Sequence, residues 1–207
     1  MTRALVVIDV QNEYDADAHP DAVLSVVARR ESLAAIGAAI DAAHAAGVPV
    51  VLVQHGEDPS APVFATGGPG WQLHEVVASR PHAVVVAKQW PGAFTGTELE
   101  SWLREGGVDT VAICGYMVQH CVDSTTRQAY HLGFTVELLA DATGTLDLTG
   151  PDGEVVPAEQ VTATVLAVLG SEFARVAPVA QWAAALAAGE ALREPSLLDV
   201  LRPRVGA

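Results

Sequence analysis

Three side chains have the types and placement for acyl transfer: the thiol of Cys121, the carboxylate of Asp9 and the ammonium of Lys88. Cys121 lies in "GYMVQHCVDS", after an apolar run and before a helical stretch. A thiol in the first turn of a helix feels the positive end of the helix dipole, which favours the nucleophilic thiolate. Asp9 interrupts the apolar run "ALVVIDV", where a buried carboxylate is costly without a partner or a task. Lys88 ends "AVVVAK" in the same manner. Singly, each has an ordinary structural explanation: a packed cysteine, a turn aspartate, a solvated strand-end lysine. Together, an acid, a cation and a thiol at three strand ends on one rim argue against coincidence. The other cysteine, Cys114, sits inside "TVAIC" and reads as a small core residue.

The elements that must position these groups are legible from periodicity. "ALVVI", "VPVVLV", "AVVVA", "TVAIC" and "FTVELL" are short β-branched runs and read as buried strands, with a sixth near "EFARVAP". Between them lie helical stretches: "ESLAAIGAAIDAAHAAG" stopped at Gly47, "GTELESWLREGG" with Thr97 as an N-cap, "CVDSTTRQAYHLG" ending at Gly133, and about 157–169. Strand alternating with helix predicts a three-layer α/β/α domain on a mostly parallel six-stranded sheet, Rossmann-like in architecture. In such sheets ligands bind beyond the carboxyl ends of the strands, and Asp9, His55, Lys88 and Cys121 all meet that condition. The Gly/Pro-rich stretch "GEDPSAPVFATGGPG" is long enough to imply a purpose such as shaping a pocket. A second irregular stretch is expected over 141–153. The domain is expected over residues 1–180, followed by a helical tail over 181–207.

The 207 residues suffice for one domain with a sizeable core. Eleven basic against 25 acidic residues give a formal net charge of −14, which repels nucleic acid and anionic membrane surfaces. No apolar stretch approaches the roughly 18 residues of a membrane span, and Asp9 breaks the N-terminal apolar run, so a cytoplasmic protein with reduced cysteines is expected. Neither G-x-G-x-x-G nor a P-loop occurs, which removes the usual nucleotide signatures.

"LVVIDVQNEY", "VVAKQWPGAFTGTELESWL" and "VAICGYMVQHCVDSTTRQAYHLGFTVELLADAT" resemble the three signature blocks of the isochorismatase-like cysteine hydrolases, the superfamily that includes nicotinamidases and N-carbamoylsarcosine amidases. The resemblance runs from about Arg3 to Val179. It implies strand order 3-2-1-4-5-6 and a catalytic triad of Asp9, Lys88 and Cys121. It also implies a cis peptide between Tyr116 and Met117 and an oxyanion hole formed by the backbone N–H groups of Met117 and Cys121. Asp9 and Cys121 would then stand on adjacent strands, with Lys88 starting two strands away, about 10 Å.

Two departures from relatives narrow the chemistry. The Asp-x-His element that holds a metal in nicotinamidases is represented by "VLVQHGED", without its leading aspartate, so no metal or other cofactor is expected; His55 and His74 are the residues a metal would need. Isochorismatases proper carry glycine at the nucleophile position, whereas this chain keeps Cys121, which favours amide-type hydrolysis. The expectation is a metal-independent cysteine amidohydrolase that cleaves a small amide, carbamoyl or hydrazide through a thioester. Alternatives are a non-catalytic ligand-binding protein on the same scaffold and a metal-dependent nicotinamidase-type enzyme. Pocket candidates are Gln11, Tyr14, His55, Trp71, Trp90, Phe94 and His120, an aromatic set suited to a small planar amide. Gly92 stands where relatives often have serine. The expected partners are the small-molecule substrate and further copies of the chain in a homodimer or homotetramer.

Overall fold

In the computed structural model, which describes residues 1–195 and Leu197, β1 spans Arg3–Ile8, β2 Val50–His55, β3 Val84–Lys88, β4 Thr110–Tyr116, β5 Thr135–Gly144 and β8 Arg175–Ala177. These six form one parallel sheet in the order β3-β2-β1-β4-β5-β8, as expected, with β8 as the sixth strand. Every residue of β1 and β4 is buried, which explains why these strands read as continuous apolar runs and not as alternation.

Side-chain alternation divides the core in two. Leu5, Val7, Val50 and Leu52 pack with helices α1 (Arg29–Ala45) and α6 (Val179–Ala188) and with Val77 of the short helix α2 (Glu75–Ala78). Ala4, Val6, Ile8, Val51 and Val53 face α3 (Leu99–Glu105), α4 (Asp123–His131) and α5 (Ala158–Leu169). The period of two in the strands builds both layers at once. Thr97 behaves as a capping side chain, its hydroxyl accepting the N–H of Leu99 at 3.3 Å, although the residue at the N-cap is Glu98.

Two regions differ from the sequence expectation. The stretch over 141–153 is not wholly irregular: β5 continues through Asp141 to Gly144, and β6 (Leu148–Thr149) pairs antiparallel with β7 (Val155–Val156). Strand β5 has a register shift against β4 between Ile113 and Gly115, which breaks the pattern that sequence periodicity follows. Helix α6 crosses the division expected near residue 180, and its Trp182 is fully buried in the core. Residues 196 and 198–207 of the expected tail lie outside the described residues. Among the described residues, no helix is long and apolar enough to cross a membrane.

Candidate active site

The close approach of β1 and β4 creates the site. Gly115 pairs with Ile8 and has φ +112°, and a Cβ there would overlap the Ile8 carbonyl, so only glycine lets the two strand ends converge. Beyond Ile8 the backbone turns through Asp9 at φ +51°, a left-handed conformation that aspartate tolerates better than most residues. Beyond Tyr116 it passes the Tyr116–Met117 peptide, which is cis as the family resemblance implies.

Cys121 does not lie in the first turn of an α-helix. It lies in a π-helical turn, Val118–Val122, that leads into α4 and in which the N–H of Val122 bonds the Met117 carbonyl at 3.1 Å. Such turns are common at functional sites. The expected depression of the thiol pKa is also reversed: burial, then the Asp9 carboxylate, push Cys121 up to about 12, against the opposing effect of Lys88. Desolvation and a like charge outweigh the dipole of a short turn. The proton therefore rests on sulfur.

Asp9 is fully buried, and burial raises its pKa above the ordinary carboxylate value, opposed first by Lys88. Lys88 Nζ lies 2.7 Å from Asp9 Oδ2, but this ion pair lacks hydrogen-bond alignment, and both carboxylate oxygens are buried without a regular hydrogen bond. The same ammonium donates to Cys121 Sγ at 3.4 Å and to His55 Nδ1 at 3.2 Å. Because an ammonium only donates, Nδ1 of His55 accepts, which leaves the Nε2–H to donate to Glu57 Oε1 at 2.8 Å. The 10 Å strand offset is thus closed by the lysine side chain, and the three residues singled out from sequence meet at one nitrogen.

A cavity of about 230 Å³ opens on these groups. Of the expected pocket residues, Tyr14, His55 and His120 line it together with Met117. Gln11 does not: it is buried, with its amide bonded to the backbone of His55 at 2.9 and 3.0 Å and to the Trp71 carbonyl at 2.7 Å, and it ties the ends of β1 and β2 together. Trp71 and the exposed Trp90 line a neighbouring cavity. Phe94 stacks on Phe134 in the core, its centroid 6.0 Å away. A side chain at Gly92 would displace the amide of Gln128, which accepts the N–H of Phe94 at 3.3 Å and donates to Thr95 Oγ1 at 2.6 Å.

Leu24, Glu57, Val63, Phe64 and Pro91 complete the lining and were not singled out from sequence. Three of them come from the Gly/Pro-rich stretch whose length suggested a pocket. Phe64 has φ +52°, a strained conformation for a bulky residue, and is held there by Glu13 Oε2, which accepts its N–H at 3.2 Å. Its ring meets Tyr14 and His55 edge-on at 5.2 and 5.3 Å. His74 lies elsewhere: its Nδ1 accepts the N–H of Val76 at the start of α2, and its Nε2 faces Asp15 at 3.2 Å.

The Isochorismatase domain model matches residues 3–168 of this chain. The chain is 42% identical to a Burkholderia xenovorans LB400 crystal structure provisionally named an isochorismatase, with TM-score 0.90, covering 96% of this chain and 93% of that one. It is 35% identical over 174 residues to streptothricin hydrolase of Streptomyces noursei, covering 82% of this chain and 66% of the relative. It is 30% identical over 173 residues to ureidoacrylate amidohydrolase RutB of Azorhizobium caulinodans, covering 68% and 75%. The chain belongs to the isochorismatase family. It is a hydrolase of that family on a three-layer α/β fold.

Proposed function

We propose that this hydrolase is a cysteine amidohydrolase that cleaves the C–N bond of a small amide, carbamoyl or hydrazide through a thioester. The observation that carries the reading is the single Lys88 ammonium in contact with both Asp9 Oδ2, at 2.7 Å, and Cys121 Sγ, at 3.4 Å, two residues that line one cavity. The names of an amidohydrolase and a streptothricin hydrolase among its relatives support the bond type.

The pKa directions support the following order of events. The thiol is neutral at rest, and buried Asp9 has a greater proton affinity than an exposed carboxylate. As sulfur approaches the carbonyl carbon, Asp9 takes the thiol proton, the C–S bond forms and the carbonyl electrons move to oxygen. The backbone N–H groups of Met117 and Cys121 are the proposed donors to that oxyanion. Collapse breaks the C–N bond, and the leaving amine receives the proton from Asp9. Water then gives a proton to Asp9 and attacks the thioester, releasing the acid and restoring the thiol. Lys88 stays charged throughout and balances whichever partner is anionic.

The reading includes independence from metal. Its support is that both ring nitrogens of His55 and of His74 already have protein partners. The test is ammonia release from a panel of small amides, before and after exhaustive chelation, with Cys121→Ala as control. Release that survives chelation and vanishes in Cys121→Ala is the expected result. Loss on chelation with recovery on added zinc, iron or manganese overturns metal independence, and release by Cys121→Ala overturns the nucleophile.

A further inference from the structure

We infer that the substrate carries a positively charged amine at the end remote from the scissile carbonyl, and that Glu57 is the residue that selects it; this rests on the amidohydrolase reading above. The argument is an inventory of charge around the reaction cavity. Lys88 is the cation beside it, and its side chain is wholly buried, paired with Asp9 at 2.7 Å and hydrogen-bonded to Cys121 and His55. Among the described residues, no arginine and no other lysine lines the cavity. A substrate carboxylate would therefore find no uncommitted cation, and would meet Asp9, Glu57 and the field of a chain with net charge −14.

Glu57 is placed to do the opposite. Its side chain is 47% exposed, and Oε1 accepts from His55, while Oε2 has no hydrogen bond among the described residues. Its main chain is fixed: the N–H donates to the Phe64 carbonyl at 2.9 Å, and the carbonyl accepts from Thr66 Oγ1 at 2.6 Å. The carboxylate thus stands on an anchored stretch of backbone, in a residue that lines the cavity, with one oxygen uncommitted among the described residues. With Asp9 ionised, two carboxylates face one ammonium, and an incoming amine brings the sum to zero.

The rest of the wall defines the body of the ligand. Leu24, Val63, Phe64, Pro91 and Met117 are apolar, and about 230 Å³ lies below the roughly 300–1,000 Å³ of pockets for drug-sized ligands. Tyr14, 3% exposed, lines the cavity with a hydroxyl that makes no hydrogen bond among the described residues, a neutral donor for the amide end. The ligand is a short aliphatic or aromatic amide with one ammonium.

Three amides of matched length separate charge from size: 4-aminobutanamide, 4-hydroxybutanamide and succinamate. Binding is measured by calorimetry on Cys121→Ala, so that no turnover is required. The ammonium amide is expected to bind roughly tenfold tighter than the carboxylate amide, with the hydroxyl amide between them and the ratio shrinking as salt is added. Glu57→Gln keeps an acceptor for His55 Nε2–H; it should collapse that ratio and leave the hydroxyl amide within about twofold. A merely structural role for Glu57 would weaken all three alike. Equal or tighter binding of succinamate, or a ratio unchanged in Glu57→Gln, overturns the inference. Ammonia release by the unmodified protein is read separately. Absence of release from all three, with the binding order intact, sinks the amidohydrolase reading and leaves the charge selection standing.

Discussion

Strand β1 has a buried ion pair at each end, and the two are built differently. At its start Arg3 grips Glu137 through two hydrogen bonds, from Nε at 2.9 Å and Nη2 at 3.0 Å. Trp182 Nε1 donates to the same carboxylate at 2.8 Å, and Arg3 also reaches the Glu190 carbonyl at 2.6 Å. Just past its other end, Asp9 and Lys88 touch at 2.7 Å, but the carboxylate has no regular hydrogen bond and its backbone is left-handed. Burial is similar at the two ends; satisfaction is not. A buried pair with every acceptor used is a structural clamp; the looser pair suits the proton transfer proposed for Asp9.

The largest expected effect breaks the unsatisfied end. Asp9→Asn removes the proposed proton carrier and should lower turnover by about 10²–10⁴-fold, with circular dichroism and thermal midpoint little changed. Near wild-type turnover would mean that Asp9 has no part in proton transfer. At the other end, Glu137→Ala strands a buried guanidinium and an indole N–H, and should cost about 3–5 kcal/mol in denaturant titration. Activity per folded molecule should stay unchanged there; a drop in kcat at full folding would contradict the clamp assignment.

A pH profile sharpens the comparison. Asp9 must be ionised to accept the thiol proton, and burial raises its pKa, so kcat/KM should fall as pH drops through a value above that of an exposed carboxylate. Removing the cation in Lys88→Met should move this acid limb of the residual activity further up, because Lys88 is the chief influence holding it down. A limb at the exposed value, or one that Lys88→Met leaves in place, would show that another group controls the rate.

The smallest effect concerns the thiols. Cys114 is fully buried and its pKa is pushed far up by desolvation, whereas Cys121 opens on the cavity with Asp9 beside it. Iodoacetamide should label Cys121 first by mass mapping, and Lys88→Met should slow that labelling severalfold, since Lys88 is the influence that holds the thiol pKa down. Labelling of Cys114 first would reverse the assignment.

The strands, and the charged residues that end two of them, were legible in the sequence because they depend on local signals, whereas the strand order came from the family resemblance. β-branched runs bounded by glycine specify strands, and a charged residue at the end of such a run is conspicuous by its cost. Asp9 and Lys88 stood out for that reason. What the tertiary structure decided is which polar groups are already in use. Gln11 reads as a pocket amide by type and position, yet its donors and acceptor go to the backbones of His55 and Trp71. Glu57 reads as one loop carboxylate among many, and only the folding of 56–70 over the site sets it against His55 and the cavity. The thiol was expected to ionise readily from its place before a helix, but its pKa follows from burial and the neighbouring carboxylate, both products of strands distant in sequence. Local pattern fixes where a side chain starts; hydrogen-bond partners and desolvation are set by chain segments tens of residues away, and these decide what the side chain can do.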